Sequence, residues 1–298
     1  MRSMRVLCSV ALGVFAAVQL SAGVGPKHWF VSNAGVDPDC TLSKPCALWQ
    51  TAIALASSGD EITALNSGDF GDIDIESGHA VTIDSGGADA GVLSGTVTIN
   101  IGDTETAVLR GLDLNGAGSI KDSVGITFSG GANLIIDGCE IENYGKRGIS
   151  IQSITDGAKV LISNSVVSSQ ANNGIVVIPP AVTNSVVLDR VRVVGNGNSG
   201  VGVNAGGVVE IRDSVISNNV NWGLLVGGTN VSVENTSLSG NLIAIQAGNG
   251  SVRLSNVNVW NNATGLVVAA GGTISSFGNN QLHGNGNNGP SPTLLVLQ

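Results

Sequence analysis

The feature that most restricts the fold of this chain is an aliphatic residue that recurs at intervals of 21 to 27 residues. In stretches such as "VEIRDSVIS" and "VSVENTSLS" it lies in a short run of alternating apolar and polar residues. The series is Ile83, Leu109, Ile136, Ile162, Leu188, Ile211, Val233 and Leu254. A period of this length indicates a solenoid, in which each unit stacks on the next and buries a face that it cannot bury alone.

Each repeat has room for three short strands and for no helix. From Ile136 onward, aliphatic residues stand two positions before the recurring residue and five positions after it. A glycine followed by an aliphatic residue begins 11 or 12 positions after it in nearly every repeat, as at Gly174 and Gly223. Alternation with period two indicates β-strands, and the Leu-rich framework of a leucine-rich repeat is missing. The sequence therefore predicts an all-β fold, a parallel β-helix with three strands per coil.

Asparagine recurs eight positions after the repeating residue in four successive coils. These positions are at the bend that leaves the second strand, where asparagine tolerates left-handed backbone geometry and stacked amides bond from coil to coil. We therefore interpret them as a structural ladder rather than as catalytic groups. The residues are Asn196, Asn219, Asn241 and Asn262.

Residues 1–23 have the pattern of a secretory signal peptide. Two arginines precede a short apolar core, and small residues follow it, in "MRSMRVLCSVALGVFAAVQLSAG". The apolar core is short for a membrane span, although an uncleaved anchor is the alternative. The pattern predicts an exported, secreted protein with no membrane span after cleavage.

Residues 24–60 are expected to hold an N-terminal strand, a disulfide loop and a capping helix. Cys40 and Cys46 lie six positions apart in "DPDCTLSKPC", which favours a disulfide over free thiols in an oxidising compartment. Trp49 and Ile53 lie at helical spacing in "PCALWQTAIALA", so this stretch predicts a helix that covers the first coil. Coils are expected over residues 61–275, and a C-terminal cap and tail over residues 276–298.

The composition excludes one class of partner. The formal net charge is −9, with 13 Lys and Arg against 22 Asp and Glu. No basic stripe is available to neutralise phosphates, so we do not expect nucleic acid as a partner. The outward positions Val176, Leu225 and Val267 on the third strand suggest a monomer with at most weak self-association through an apolar stripe.

The chain resembles the exported bacterial right-handed parallel β-helix proteins of the pectin-lyase-like superfamily. The resemblance is carried by the head "WFVSNAGVDPDCTLSKPCALWQTAIALASSGDEITALNSGDFGDIDI", the coils and "SFGNNQLHGNG". It implies a right-handed coil, while the superfamily contains both enzymes and adhesins. Its hydrolase motifs are incomplete here: Asn235-Thr236 is followed by Ser237, and Gly78-His79 is followed by Ala80.

One column of charged residues is the candidate active site. The position one after the repeating residue holds Asp137, Asp189, Arg212 and Glu234, among others. The alternating signs favour a structural ladder of opposite charges on neighbouring strands. In the alternative interpretation, Asp137 and Asp189 act as acid and base of a hydrolase, and Arg212 orients a substrate carboxylate.

The only cofactor that the sequence suggests is calcium. In "DFGDIDIESG", Asp72, Asp74 and Glu76 alternate with inward isoleucines, and calcium prefers such oxygen-rich clusters. A solvated strand face has the same pattern, so we otherwise expect no cofactor.

The sequence thus predicts a secreted β-helix protein of the cell surface or matrix that contacts a polysaccharide or cell-surface glycan without catalysis. The alternative is a divergent polysaccharide lyase or glycoside hydrolase that acts on an acidic polysaccharide.

Overall fold

The computed structural model describes residues 25–36, 38–118, 121–178, 184–204, 207–269 and 271–296. These residues form a parallel β-solenoid in which each coil adds one strand to each of three sheets. We number the sheets in the order in which a coil visits them. The predicted signal peptide lies outside the described residues. No helix in the described part is both long and apolar enough to span a membrane.

The first sheet has twelve strands, the second ten and the third nine. The first sheet comprises His28–Val31, Glu61–Ala64, Thr82–Asp84, Thr106–Arg110, Asn133–Asp137, Lys159–Ser163, Asn184–Asp189, Gly207–Arg212, Asn230–Glu234, Ser251–Ser255, Thr273–Ser276 and Thr293–Leu294. The second comprises Gly68–Asp69, Ala90–Leu93, Asp113–Asn115, Glu140–Glu142, Val166–Ser168, Arg192–Val194, Val215–Ser217, Ser237–Ser239, Asn258–Trp260 and Gln281–His283. The third comprises Ile73–Glu76, Val97–Asn100, Val124–Gly130, Arg147–Ile151, Asn173–Val177, Ser199–Val203, Trp222–Val226, Ile243–Ala247 and Thr264–Val268.

The recurring aliphatic residues form one column inside the solenoid. Ile136 pairs with Ile162, Ile162 with Leu188, and Leu188 with Ile211, so the sequence repeat and the strand register coincide. All eight residues of the series are buried. Burying one such side chain stabilises the fold by about 1.5–3 kcal/mol, and this burial is the main stabilising contribution to each coil.

The left-handed residues lie one position earlier than the sequence analysis expected. At the bend between the second and third strands, the positive φ angles belong to Gly195 (69°), Asn218 (56°), Gly240 (67°) and Asn261 (55°). None of the four ladder asparagines has a positive φ. The expectation was wrong because the left-handed residue turns the backbone, and the next residue is then directed inward, where its amide can bond between coils.

Each ladder amide donates to the amide oxygen of the following coil, and in three of the four residues Nδ2 also donates to a backbone oxygen of the preceding coil. Asn196 donates its backbone N–H and its Nδ2 to Asn219 Oδ1, at 3.1 and 2.9 Å. Asn219 makes the same pair of bonds to Asn241 Oδ1, both at 3.0 Å, and Asn241 repeats them to Asn262. The four residues are 0 to 3% exposed, so these bonds satisfy groups that water does not reach.

Two further amides extend the ladder beyond the asparagines found in the sequence. Gln170 donates its backbone N–H to Asn196 Oδ1, and Asn262 donates to Asn285 Oδ1. Tyr144 donates its backbone N–H to Gln170 Oε1 at 2.8 Å. A Cβ added at Gly116 or Gly125 would come within 2.9 Å of the Tyr144 ring, so the ring fills the N-terminal continuation of the ladder.

A short helix covers the N-terminal end of the solenoid. It spans Trp49–Leu55, which is shorter than the predicted stretch because Leu48 already has extended backbone angles. Trp49 is fully buried, its Nε1 donates to Gly91 O at 3.1 Å, and its ring meets Phe70 edge-on at 5.1 Å. The neighbouring loop is closed by a disulfide between Cys40 and Cys46.

Candidate functional site

The outer face of the first sheet carries a groove that runs across successive coils. Its floor consists of Ile135, Leu161 and Val187, which pair in register and point away from the core. All three are half-buried. The groove has a volume of about 440 Å³. We call it the first-sheet groove; its lining residues are Thr106, Asn133, Leu134, Ile135, Lys159, Val160, Leu161, Ser185, Val187 and Arg212.

Polar side chains from an equivalent column form one edge of the groove. Thr106, Asn133, Lys159 and Ser185 pair in register on four neighbouring strands. Asn133 Nδ2 donates to Thr106 Oγ1 at 3.0 Å. Lys159 is exposed, and no carboxylate of the described residues forms an ion pair with it. Its ammonium group is therefore available to an anion in the groove.

The predicted charged column runs beside the groove, and of its members only Arg212 is among the lining residues. Asp137, Ser163, Asp189, Arg212 and Glu234 pair in register on successive strands. The column in the sequence is thus a column in space.

A continuous polar network links this column across four coils. Asp137 Oδ1 accepts hydrogen bonds from Ser163 Oγ and Asn164 Nδ2, both at 2.7 Å. Asn164 Oδ1 accepts from Arg190 Nε at 2.8 Å. Arg190 Nη2 lies 2.9 Å from Asp189 Oδ2, and Asp189 is only 7% exposed. The network therefore connects both candidate acids.

Arg212 completes the network with one of its two predicted partners, Asp189, and with Glu210 in place of Glu234. Its Nε lies 3.3 Å from Asp189 Oδ1, and its Nη1 lies 3.1 Å from Glu210 Oε1. No ion pair between Arg212 and Glu234 is found among the described residues. The long guanidinium side chain reaches Glu210 two positions along its own strand, so the predicted charge pairing is present between Asp189 and Arg212 but not between Arg212 and Glu234.

The surroundings of Asp137 favour its ionised form. The hydrogen bonds from Ser163 and Asn164 lower the pKa of Asp137, burial opposes them, and the charges of Arg110 and Arg190 lower it further. A general acid needs a raised pKa at neutral pH, so Asp137 is suited to accept hydrogen bonds or a proton and poorly suited to donate one.

Among the described residues, the carboxylates with raised pKa values lie on the second sheet, outside the predicted charged column. Burial, then the charge of Asp89, raises the pKa of Asp113. Burial, then the charges of Glu140 and Asp113, raises the pKa of Glu142. Asp113 and Glu140 pair directly in register. Their shared offset of four residues from Leu109 and Ile136 is the signal in the sequence that could have placed these like charges together.

The three residues predicted to bind calcium are only partly assembled. Asp74 and Glu76 are exposed on the strand Ile73–Glu76, but Asp72 precedes that strand. Asp72 Oδ1 accepts the backbone N–H of Thr96 at 2.6 Å. In the part of the chain that the structure describes, no three His, Cys, Asp or Glu side chains are grouped to hold a metal ion. The calcium site stays a prediction.

The core also contains a free cysteine. Cys139 is 2% exposed, and burial raises the pKa of its thiol to about 12, so it remains protonated in the core.

On the third sheet, Val176 is 5% exposed, and Gly202 and Gln246 interrupt the outward column that contains Leu225 and Val267. No continuous apolar stripe is formed there.

The sequence matches the family model described as the right handed beta helix region over residues 39–236, and the chain therefore belongs to that family. The right-handed β-helix predicted from the resemblance is thereby confirmed. No curated protein matches the sequence significantly.

Several solved structures share the architecture at low sequence identity. The pectate lyase Pel9A superposes with a TM-score of 0.52 at 16% identity, over 92% of this chain and 78% of that chain. The A-module of mannuronan C-5 epimerase AlgE4 from Azotobacter vinelandii gives 0.46 at 13% identity, over 91% and 89%. A rhamnogalacturonan lyase gives 0.44 at 12% identity, over 90% and 89%. The likeness to Pel9A shows a shared fold.

Proposed function

We propose that this chain is an exported β-helix protein that binds an acidic polysaccharide along the first-sheet groove without cleaving it. One observation carries the proposal: the only charged side chains that line the groove among the described residues are two cations, Lys159 and Arg212. They lie beside an apolar floor on a protein whose net charge is −9. Arg212 is compensated by Asp189 and Glu210, whereas Lys159 has no ion pair among the described residues, so it is the charge of Lys159 that favours an anionic ligand.

The shape of the groove suits a linear chain. Its lining comes from five successive strands, which at about 4.8 Å per strand gives a length of about 19 Å. Ile135, Leu161 and Val187 offer an apolar surface for the C–H groups of sugar rings. The hydroxyl and amide groups of Thr106 and Asn133 are placed to bond sugar hydroxyls at the edge.

The arrangement of the carboxylates supports binding without turnover. Asp137 is held ionised by its two hydrogen bonds, and Asp189 is engaged by Arg190 and Arg212. An acid and base pair for glycoside hydrolysis requires two carboxylates in different protonation states. The disulfide and the pectate-lyase-like fold support export.

The test is a calorimetric titration of the purified protein with polygalacturonate, alginate and hyaluronate. We expect saturable binding that weakens as salt is raised, because an exposed charge contact is screened. Lys159→Ala should weaken binding about fivefold, the value of one exposed ion pair. Lys146→Ala removes the same charge outside the groove and should leave the affinity unchanged.

Two results would contradict the proposal. Absence of binding to all three polymers, or equal losses in the two lysine variants, would remove the groove as a binding site. Release of reducing ends or unsaturated products that is abolished by Asp189→Asn would support the lyase or hydrolase alternative.

A further inference from the structure

An exposed aromatic side chain is held rigidly on the outer face of the second sheet. Trp260 is 40% exposed, and its ring stacks on His283 of the next coil at 6.5 Å with 13° between the ring planes. Its Nε1 donates to Ser237 Oγ of the preceding coil at 3.2 Å. The indole is therefore fixed from both sides and keeps part of its surface in solvent.

A polar depression of about 270 Å³ adjoins this ring. Ser237 belongs to both features, because its hydroxyl accepts the indole N–H and also lines the depression. No ionisable side chain lines it among the described residues, so the depression offers hydrogen bonds without charge. Its lining residues are Asn235, Thr236, Ser237, Asn256, Val257, Asn258 and Gln281.

Two side-chain amides in the depression have no hydrogen-bond partner among the described residues. They are Asn258 and Gln281, which pair in register on neighbouring strands. Asn258 Oδ1 is buried without a hydrogen-bond partner. Leaving such a group unsatisfied is unfavourable, and the soft χ2 torsion of asparagine allows it to turn toward a ligand hydroxyl.

We propose that Trp260 and this depression form a second carbohydrate subsite, which binds a neutral sugar residue. The C–H face of a pyranose would pack on the exposed part of the Trp260 ring, and its hydroxyls would bond the amides of Asn258 and Gln281. An aromatic surface beside uncharged donors and acceptors matches a ligand with an apolar face and a hydroxylated edge. The subsite lies on a different sheet from the first-sheet groove and does not depend on ligand binding there.

The test is a titration with neutral oligosaccharides of the cello-, manno- and chito- series, followed by calorimetry and by tryptophan fluorescence. We expect binding in the millimolar range for at least one series, because a single shallow subsite buries little area. Trp260→Ala should weaken binding at least about tenfold, and Gln281→Ala should weaken it severalfold while removing no ring.

The matched control is Trp222→Ala. Trp222 lies on the third sheet, and its Nε1 donates to Gln246 Oε1 at 2.8 Å, so its loss should leave sugar affinity unchanged. Circular dichroism of each variant checks that the solenoid is intact. If the Trp260 variant loses its fold, the Gln281 variant decides the question.

The two binding proposals fail independently. Lys159→Ala should reduce affinity for acidic polymers and leave neutral sugars unaffected, and Trp260→Ala should do the reverse. The subsite proposal is overturned if no neutral oligosaccharide binds at concentrations up to about 10 mM. It is equally overturned if binding is undiminished in both the Trp260 and Gln281 variants.

Discussion

Replacing one central ladder residue, Asn219→Ala, tests whether the amide ladder stabilises the solenoid. Asn219 is 1% exposed and its Oδ1 accepts both the backbone N–H and the Nδ2 of Asn196. The substitution removes this acceptor, so two buried donors of Asn196 lose their partner. Asn241 Oδ1 keeps one bond, because it also accepts the backbone N–H of residue 219 at 3.0 Å.

The expected loss follows from these two donors. A buried donor left without a partner costs about 1–3 kcal/mol, so Asn219→Ala should lower the free energy of unfolding by about 2–6 kcal/mol. Asn285→Ala is the matched control, since Asn285 accepts the same two bonds from Asn262 at the half-exposed end of the ladder. Water can replace those bonds, so the control should lose only about 1 kcal/mol.

The measurement is urea-induced unfolding monitored by far-ultraviolet circular dichroism, with the slope of each transition compared between variants. Hydrogen exchange at the amide of Asn196 gives a local readout, because this N–H should lose protection in Asn219→Ala. A loss below about 1 kcal/mol, or one equal to that of Asn285→Ala, would refute the argument that buried amide bonds stabilise these coils.

Two further predictions concern acidic residues. Asp113→Asn should raise the melting temperature at neutral pH, because the folded-state pKa of Asp113 is raised above its ordinary value of 3.8. Because the pKa is raised, the protonated Asp113 side chain stabilises the folded state below the unfolded pKa, and this contribution is lost as the pH rises. The gain in melting temperature from Asp113→Asn should therefore vanish below about pH 3.8. A benefit that persists at low pH would indicate a different cause. Millimolar calcium tests the predicted site: a saturable rise in melting temperature that Asp74→Asn removes would establish it, and no rise in the unmodified protein would exclude it.

The fold could be predicted because each structural coil corresponds to one repeat of the sequence. Every coil adds one strand to the same sheet, so a column in the sequence such as Ile136, Ile162 and Leu188 becomes a column in space. The position of the ladder could be predicted in the same way, because its asparagines lie at a constant distance from the recurring aliphatic residue. The identity of its N-terminal members could not, because Gln170 supplies the amide there and Tyr144 takes part only through its backbone N–H.

The candidate site was less predictable than the fold, for reasons of side-chain length and direction. The spacing of the repeats places Arg212 between Asp189 and Glu234, but a guanidinium group can reach several neighbours, and here it contacts Asp189 and Glu210 and not Glu234. The groove itself depends on the exposure of Ile135 and Leu161, which alternation alone cannot distinguish from a covered face. The repeat indicates which positions point outward, but it does not indicate whether neighbouring segments cover them.

The one-way bonding between the amides of the ladder gives the solenoid a polarity. In every step, the N–H groups of one coil bond to the amide oxygen of the coil that follows it. Cutting away a following coil would therefore leave a backbone donor and an amide donor of the ladder without partners. Cutting away a preceding coil would leave an oxygen acceptor and, in most steps, one amide N–H that bonds a backbone carbonyl of that coil, but no backbone donor of the ladder. Unpaired buried donors are tolerated less well than under-used carbonyl oxygens. A set of shortened proteins, trimmed one coil at a time, should thus be more soluble and more stable when trimmed from the amino end than when trimmed by the same number of coils from the carboxyl end.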